Sequence, residues 1–204
     1  MMTLLSKLAF ALVVLVVAGA VIAVVMLVRH GVSARDQPTT LEAFVARRLR
    51  HLAVPRGARQ APNPVPATPD VLAEARAHFA DHCASCHGND GSGQTEMGQH
   101  LYPKAPDMRQ ADTQSLSDGE LFYIIHNGIR LSGMPAWGDT PPEDDQDSWK
   151  LVHFIRHLPK MSPEEVEEMK KFNPQSPQEK EEEETEEKFL QGEDSPSSPP
   201  HHHH

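Results

Sequence analysis

Cys83-Ala84-Ser85-Cys86-His87 decides how the rest of this chain is read. On one helical turn, two thiols at this spacing lie close enough to take up the two vinyl groups of a single haem as thioethers. The next residue, His87, then offers its imidazole to the iron from beneath the ring. The competing readings ask for more than is present: a redox dithiol needs a βαβ setting and a zinc ribbon needs a second ligand pair. Cys83 and Cys86 are the only two cysteines. A disulfide between positions so close would close a small, strained loop of little entropic value. Covalent attachment of one haem c is the reading that remains.

The flanking sequence supports that pentapeptide. Thr68-Pro69-Asp70 is a helix start, and Val71, Leu72, Ala75, Phe79 and Ala80 form an apolar face running directly into Cys83. His78 and His82 stand four apart, but nothing nearby completes a metal site, so they read as solvated or haem-edge residues. After His87, Gly88 to Gly93 is turn chemistry, letting backbone approach the haem edge. Met97 to Thr113 is loop-like, broken by Pro103 and Pro106. Ser117-Asp118-Gly119-Glu120 has the form of a capping box before Leu121 to Ile125, and Asn127-Gly128 closes that helix. Asp139 to Asp147 is an acidic turn. A last helix, Trp149 to Leu158, buries Leu151, Phe154, Ile155 and Leu158, with His153 and His157 on its solvated side, and ends at Pro159.

A sixth iron ligand has six candidates here: Met97, Met108, Met134, Met161, His100 and His126. Met134 stands best by context, because Gly133 permits close backbone approach and Pro135 stiffens the loop while removing an N–H that would need a partner. Met108 comes next. A gap-filling core methionine is the bland reading of Met134, and His126 reads as a helix-surface residue.

From about Thr68 to Pro159 the chain resembles a small single-haem cytochrome c domain of class I, in the helix with Phe79 four before the first thiol, Cys83/Cys86/His87, the Gly-Met-Pro loop and the C-terminal aromatic helix. The resemblance implies an all-α fold around one covalent haem, with first and last helices crossing near Phe79 and Phe154. It also implies thioethers at Cys83 and Cys86 and axial ligands at His87 and Met134. Phe154 stands where such domains often carry an aromatic hydroxyl.

The remainder lies outside that resemblance. Leu8 to Val28 is an almost unbroken apolar run, long enough to cross the hydrocarbon once. It continues past the small-residue stretch Ala18-Gly19-Ala20, which favours an uncleaved anchor over a signal peptide. Lys7 before the span against Arg29, Arg35, Arg47, Arg48 and Arg50 after it would by charge place the chain in the cytoplasm. Haem attachment argues for the extracytoplasmic side of a bacterial inner membrane and takes precedence. Residues 1–35 thus read as an anchor, 36–67 as an amphipathic helix and Pro-rich linker, 68–160 as the haem domain and 161–204 as a charged helix and disordered tail. In the linker, Leu41, Phe44, Val45, Leu49 and Leu52 share one stripe beside arginines; lying in the bilayer interface on the one hand, and docking on a partner subunit or serving as a soluble spacer on the other, are equally open. Pro55 to Pro69 reads as a semi-rigid spacer lifting the domain off the membrane.

Charge and composition narrow the function. The formal charge is -10, aromatic residues are 5% and there are 18 prolines, so the core is small and much of the chain is linker or tail. Nothing points to nucleic acid. With both axial positions filled by protein, the expected role is a membrane-tethered one-electron carrier, alone or as the cytochrome subunit of a larger oxidoreductase, and not an enzyme in itself. Acids outnumber bases between Thr68 and Pro159, so donor and acceptor are expected to present basic docking faces. The alternative is a haem sensor or small-ligand enzyme in which Met134 leaves the iron. His201 to His204, if natural, are a candidate divalent-metal site; Phe189-Leu190 reads as a docking point or a chance pair.

Overall fold

Side-chain hydroxyls start several of the helices of this chain. The Thr68 Oγ1 accepts from the Val71 amide at 3.2 Å. The Ser117 and Ser162 hydroxyls accept from the amides of Glu120 and Glu165, whose carboxylates take the cap residues' own N–H groups in return. Thr39 and Glu42 make the same reciprocal pair. Each such cap stabilises its helix by about 1 kcal/mol.

The computed structural model describes residues 4–190 apart from 32 and 139, and among these every regular element is a helix. In chain order they are α1 (Leu4–His30), α2 (Thr40–Ala53), α3 (Arg56–Gln60), α4 (Pro69–His78), a π-helical turn (Phe79–Cys83) and α5 (Ala84–His87). There follow α6 (Glu96–Gln99), α7 (Ala111–Gln114), α8 (Asp118–Asn127), α9 (Gln146–His157), α10 (Pro163–Met169) and α11 (Pro177–Leu190), with short 3-10 turns after α9 and α10.

The core forms where α4 and its π turn cross α9. Phe79 and Phe154 meet there with ring centroids 4.9 Å apart and planes tilted by 50°, as the resemblance implied. Both rings are fully buried, with Val152 and Leu158. α8 lies against α9 through the stacked pair Phe122–Trp149, centroids 4.1 Å apart. At the end of α9, Arg156 donates to the carbonyls of Gln114 and Leu116 and to the Asp118 carboxylate, tying α7 and the start of α8 to it. α10 is seated firmly, since Met169 is wholly buried and the Glu165 carboxylate reaches His157 at 3.0 Å.

Three expectations change. The spacer before the haem domain is built onto it: Val54 is buried, Ser117 Oγ donates to the Arg59 carbonyl at 2.7 Å, and Asn63 Nδ2 donates to the Trp149 carbonyl at 2.9 Å. α3 sits so close on the start of α8 that a Cβ on Gly119 would overlap the Ala58 carbonyl oxygen. Prolines stiffen this segment, but its polar groups find partners on the domain and so hold it down. The acidic run expected to be disordered is helical as far as Leu190, with Pro177 in its first turn and strong helix formers behind it. Residues 191–204, including His201 to His204, lie outside the described residues. Finally, His153 and His157 are not simply solvated, because His153 Nε2 lies 2.8 Å from the Val65 carbonyl and His157 pairs with Glu165.

α1 is apolar over most of Leu4–Met26, with a mean hydropathy of 3.2, and none of that span is buried among the described residues. Its length and composition suit a single bilayer crossing.

Candidate haem site

The helix that starts at Thr68 widens by one residue before the thiols. The Ala84 amide bonds back to the Phe79 carbonyl, five residues away, so Phe79 to Cys83 forms a π turn between α4 and α5. Phe79 and Ala80 stay in the core while Cys83 packs at its edge. Sequence periodicity could not show this, because the extra residue is inserted by packing and leaves the apolar pattern legible on either side.

Cys83, Cys86 and His87 come together at the end of this helix. Burial pushes the Cys83 thiol up to about 12, the neighbouring Cys86 adding to it, and burial raises Cys86 as well. The two cysteines are not joined in a disulfide. A thiol held so far above neutrality is a poor metal ligand or redox nucleophile, each of which needs a thiolate. Burial also lowers the His87 imidazole, with the Pro106 carbonyl acting more weakly in the opposite direction. His87 is thereby kept neutral, the form that can give a lone pair to iron. Its Nδ1 is shut off from solvent without a well-formed hydrogen bond, so the ring is held but not satisfied. Two uncharged thiols and a neutral, under-satisfied imidazole in this order fit a covalent haem.

The loop after His87 is tied back onto the motif. Gly88 N–H donates to the Ala84 carbonyl at 2.8 Å, Gly93 N–H to the His87 carbonyl at 2.7 Å, and Thr95 Oγ1 to the Cys86 carbonyl at 2.9 Å. Arg109 then clamps this loop to the next, bonding Asp107 at 2.8 Å and Asp90 at 3.1 Å. The same guanidinium holds the Asp107 carboxyl down at about 2.

The loop carrying Met134 leaves α8 through Gly128, at φ 66°, where a Cβ would press on Pro135 and Ala136 at 2.6 Å. Four backbone or hydroxyl bonds fix it: Ile129 N–H to the Met134 carbonyl, Met134 N–H to Ser132 Oγ, Trp137 N–H to the Ile125 carbonyl and Gly138 N–H to the His126 carbonyl. Trp137 meets His82 edge-on, centroids 5.5 Å apart, which brings this loop beside the helix end that bears Cys83. The other sixth-ligand candidates differ in their surroundings. Met108 and Met161 belong to the apolar core or its rim, Met97 and His100 are exposed, and His126 is buried.

That last placement corrects the reading of His126 as a surface residue. It is 8% exposed, stacks on Phe122 with centroids 5.5 Å apart, and sets its Nδ1 2.6 Å from the Asp145 carboxylate. Asp145 also caps α9 by accepting from the Ser148 amide at 3.0 Å. One buried pair therefore joins the end of α8, the return of the Met134 loop and the start of α9. The signal available was slight, a histidine just before a helix-ending Asn-Gly with an acidic run downstream.

Comparison with known proteins finds similarity over the segment that carries Cys83, Cys86, His87 and Met134. The family described as "Cytochrome C oxidase, cbb3-type, subunit III" matches residues 70–155. The chain is 34% identical over 94 residues to the Cbb3-type cytochrome c oxidase subunit FixP of Rhizobium meliloti (strain 1021), covering 46% of this chain and 29% of that protein. It is 37% identical over 94 residues, with the same coverage, to the subunit of that name from Sinorhizobium medicae (strain WSM419). The chain thus spans under a third of the length of these curated relatives. Residues 70–155 are a cytochrome c-type domain with one covalent haem c, preceded by an N-terminal helix long and apolar enough to cross a membrane.

Proposed function

We propose that this chain is a membrane-tethered one-electron carrier in which Cys83 and Cys86 form the thioethers and His87 and Met134 are the axial ligands. The observation that carries the reading is the Trp137–His82 contact at 5.5 Å, because it sets the Met134 loop beside the cysteine-bearing helix end. When bound, the haem supplies a one-electron ferric/ferrous couple, and a thioether ligand raises its potential. The protein's part is to hold the two axial groups and keep other ligands out. His87 is neutral by burial and Met134 sits on a loop fixed at both ends, so neither position is left for a small molecule. A sensor or ligand-binding enzyme would need that loop to yield, and its four anchoring bonds oppose this.

The relatives are named as subunits of a cbb3-type oxidase, and this chain is accordingly proposed to serve a membrane oxidoreductase, as a subunit or as its shuttle, from the extracytoplasmic face of a bacterial inner membrane. Its partners would present basic faces to the acidic haem domain. Potentiometric titration of the reduced and oxidised forms tests the reading: a single one-electron transition and no carbon monoxide binding by the reduced protein are expected. Rapid carbon monoxide binding by the wild-type protein would replace the carrier with the sensor.

A further inference from the structure

The helix α2 is amphipathic, yet it rests on the haem domain by its polar side. Arg47 lies 3.5 Å from the Asp112 carboxylate, and His51 Nδ1 lies 2.8 Å from Glu120, itself buried at the start of α8. Arg50, on the same side, is half-buried. On the opposite side Leu41, Val45, Leu49 and Leu52 fall within an arc of about 80° at the α-helical repeat. All four are exposed, Leu41 at 71% and Leu52 at 72%, and α2 buries no residue. Ordinary packing of a surface helix would place these two faces the other way round. The helix cannot simply roll over, because Val54 at its end is buried and the following segment is bonded to the domain.

What covers the stripe is set by the chain on its other side. Only residues 31–39 separate α2 from α1, the membrane-anchoring helix. Fully extended they reach about 30 Å, and the turn closed by Asp36 N–H on the Ser33 carbonyl shortens that. The charge matches as well: in a chain of formal charge -10, Arg29, Arg35, Arg47, Arg48, Arg50, Arg56 and Arg59 cluster here against only Asp36 and Glu42. Arg48 borders the stripe with its guanidinium 5.5 Å from the Phe44 ring centroid, an arrangement suited to the boundary between acyl chains and headgroups. We propose that α2 lies in the plane of the membrane that α1 crosses, its Leu41/Val45/Leu49/Leu52 stripe sunk among anionic lipids and its polar face gripping the haem domain. The domain is then pinned to the bilayer in one orientation.

The test uses the full-length holoprotein, reconstituted alone into vesicles of phosphatidylcholine and phosphatidylglycerol at low protein-to-lipid ratio. A nitroxide is placed singly through Leu41→Cys, Leu49→Cys or Leu52→Cys, and off the stripe through Ala46→Cys. An unchanged haem spectrum shows that each variant is folded. The unsubstituted holoprotein takes up no label if both native thiols are thioethers, so failure of the haem-site reading would show separately. Collision with oxygen should rise and collision with a water-soluble nickel chelate should fall severalfold at all three stripe positions relative to Ala46→Cys. Equal access of the chelate to stripe and control would overturn the proposal. So would shielding that appears only with spin–spin broadening as the protein-to-lipid ratio rises, since the stripe would then be covered by a second copy.

Discussion

His126 and Asp145 approach to 2.6 Å in a site where each is 8% exposed, and around them the Met134 loop closes onto α8. Removing one member leaves the other buried without its partner, a loss of about 1–3 kcal/mol. His126→Leu should therefore lower unfolding stability by that amount, read by denaturant titration, whereas His126→Asn should recover part of it. The Asp107 carboxyl behaves differently because it is partly exposed. Held at about 2 against an ordinary 3.8, it contributes stability that is full above the ordinary value and is lost as pH falls towards 2. Exposure to solvent limits that contribution to about 1 kcal/mol or less. Asp107→Asn should thus be less stable than wild type at neutral pH, and the two acid-unfolding curves should converge near pH 2; a constant gap down to that pH would refute the linkage. Cys83-Ala84-Ser85-Cys86-His87 stands out in the sequence because haem attachment demands such side chains at such a spacing. His126 was not, because whether a histidine on the last turn of a helix is solvated depends on Asp145, nineteen positions away, and on how the intervening loop returns.

α4, α8 and α9 could be read from period and caps, since each carries an apolar stripe and a hydroxyl or carboxylate start. Their crossing follows from Phe79 and Phe154, the largest fully buried side chains. Phe154→Ala should cost about 3–5 kcal/mol, measured as a lowered denaturant midpoint in the holoprotein. The elements that escaped are those whose state depends on contacts far along the chain. Residues 54–65 have the prolines of a spacer, but Val54, Arg59 and Asn63 spend their apolar surface and polar groups on α8 and α9. Gly119→Ala tests that docking, because the added methyl must displace the Ala58 carbonyl. It should loosen residues 54–65, seen as faster amide hydrogen exchange there, while the α4–α9 crossing keeps its protection.

At the scale of the whole molecule the charges are segregated, basic between the apolar N-terminal helix and the domain and acidic through the haem domain and α11. Electron exchange with a basic partner should slow as ionic strength rises, several-fold between low and physiological salt, since exposed charges are screened beyond about 8–10 Å under those conditions. A rate independent of salt would remove the basic docking face. The proposed carrier role requires an iron closed to other ligands, and that closure is assigned by the proposal to Met134. The direct measurement is the absorption spectrum of the oxidised holoprotein in the far red, where an iron–thioether bond gives a weak charge-transfer band. Wild type, Met97→Ala and Met108→Leu should show the band, and Met134→Ala should lack it and bind carbon monoxide when reduced. Survival of the band in Met134→Ala, or its absence from wild type, would contradict the account.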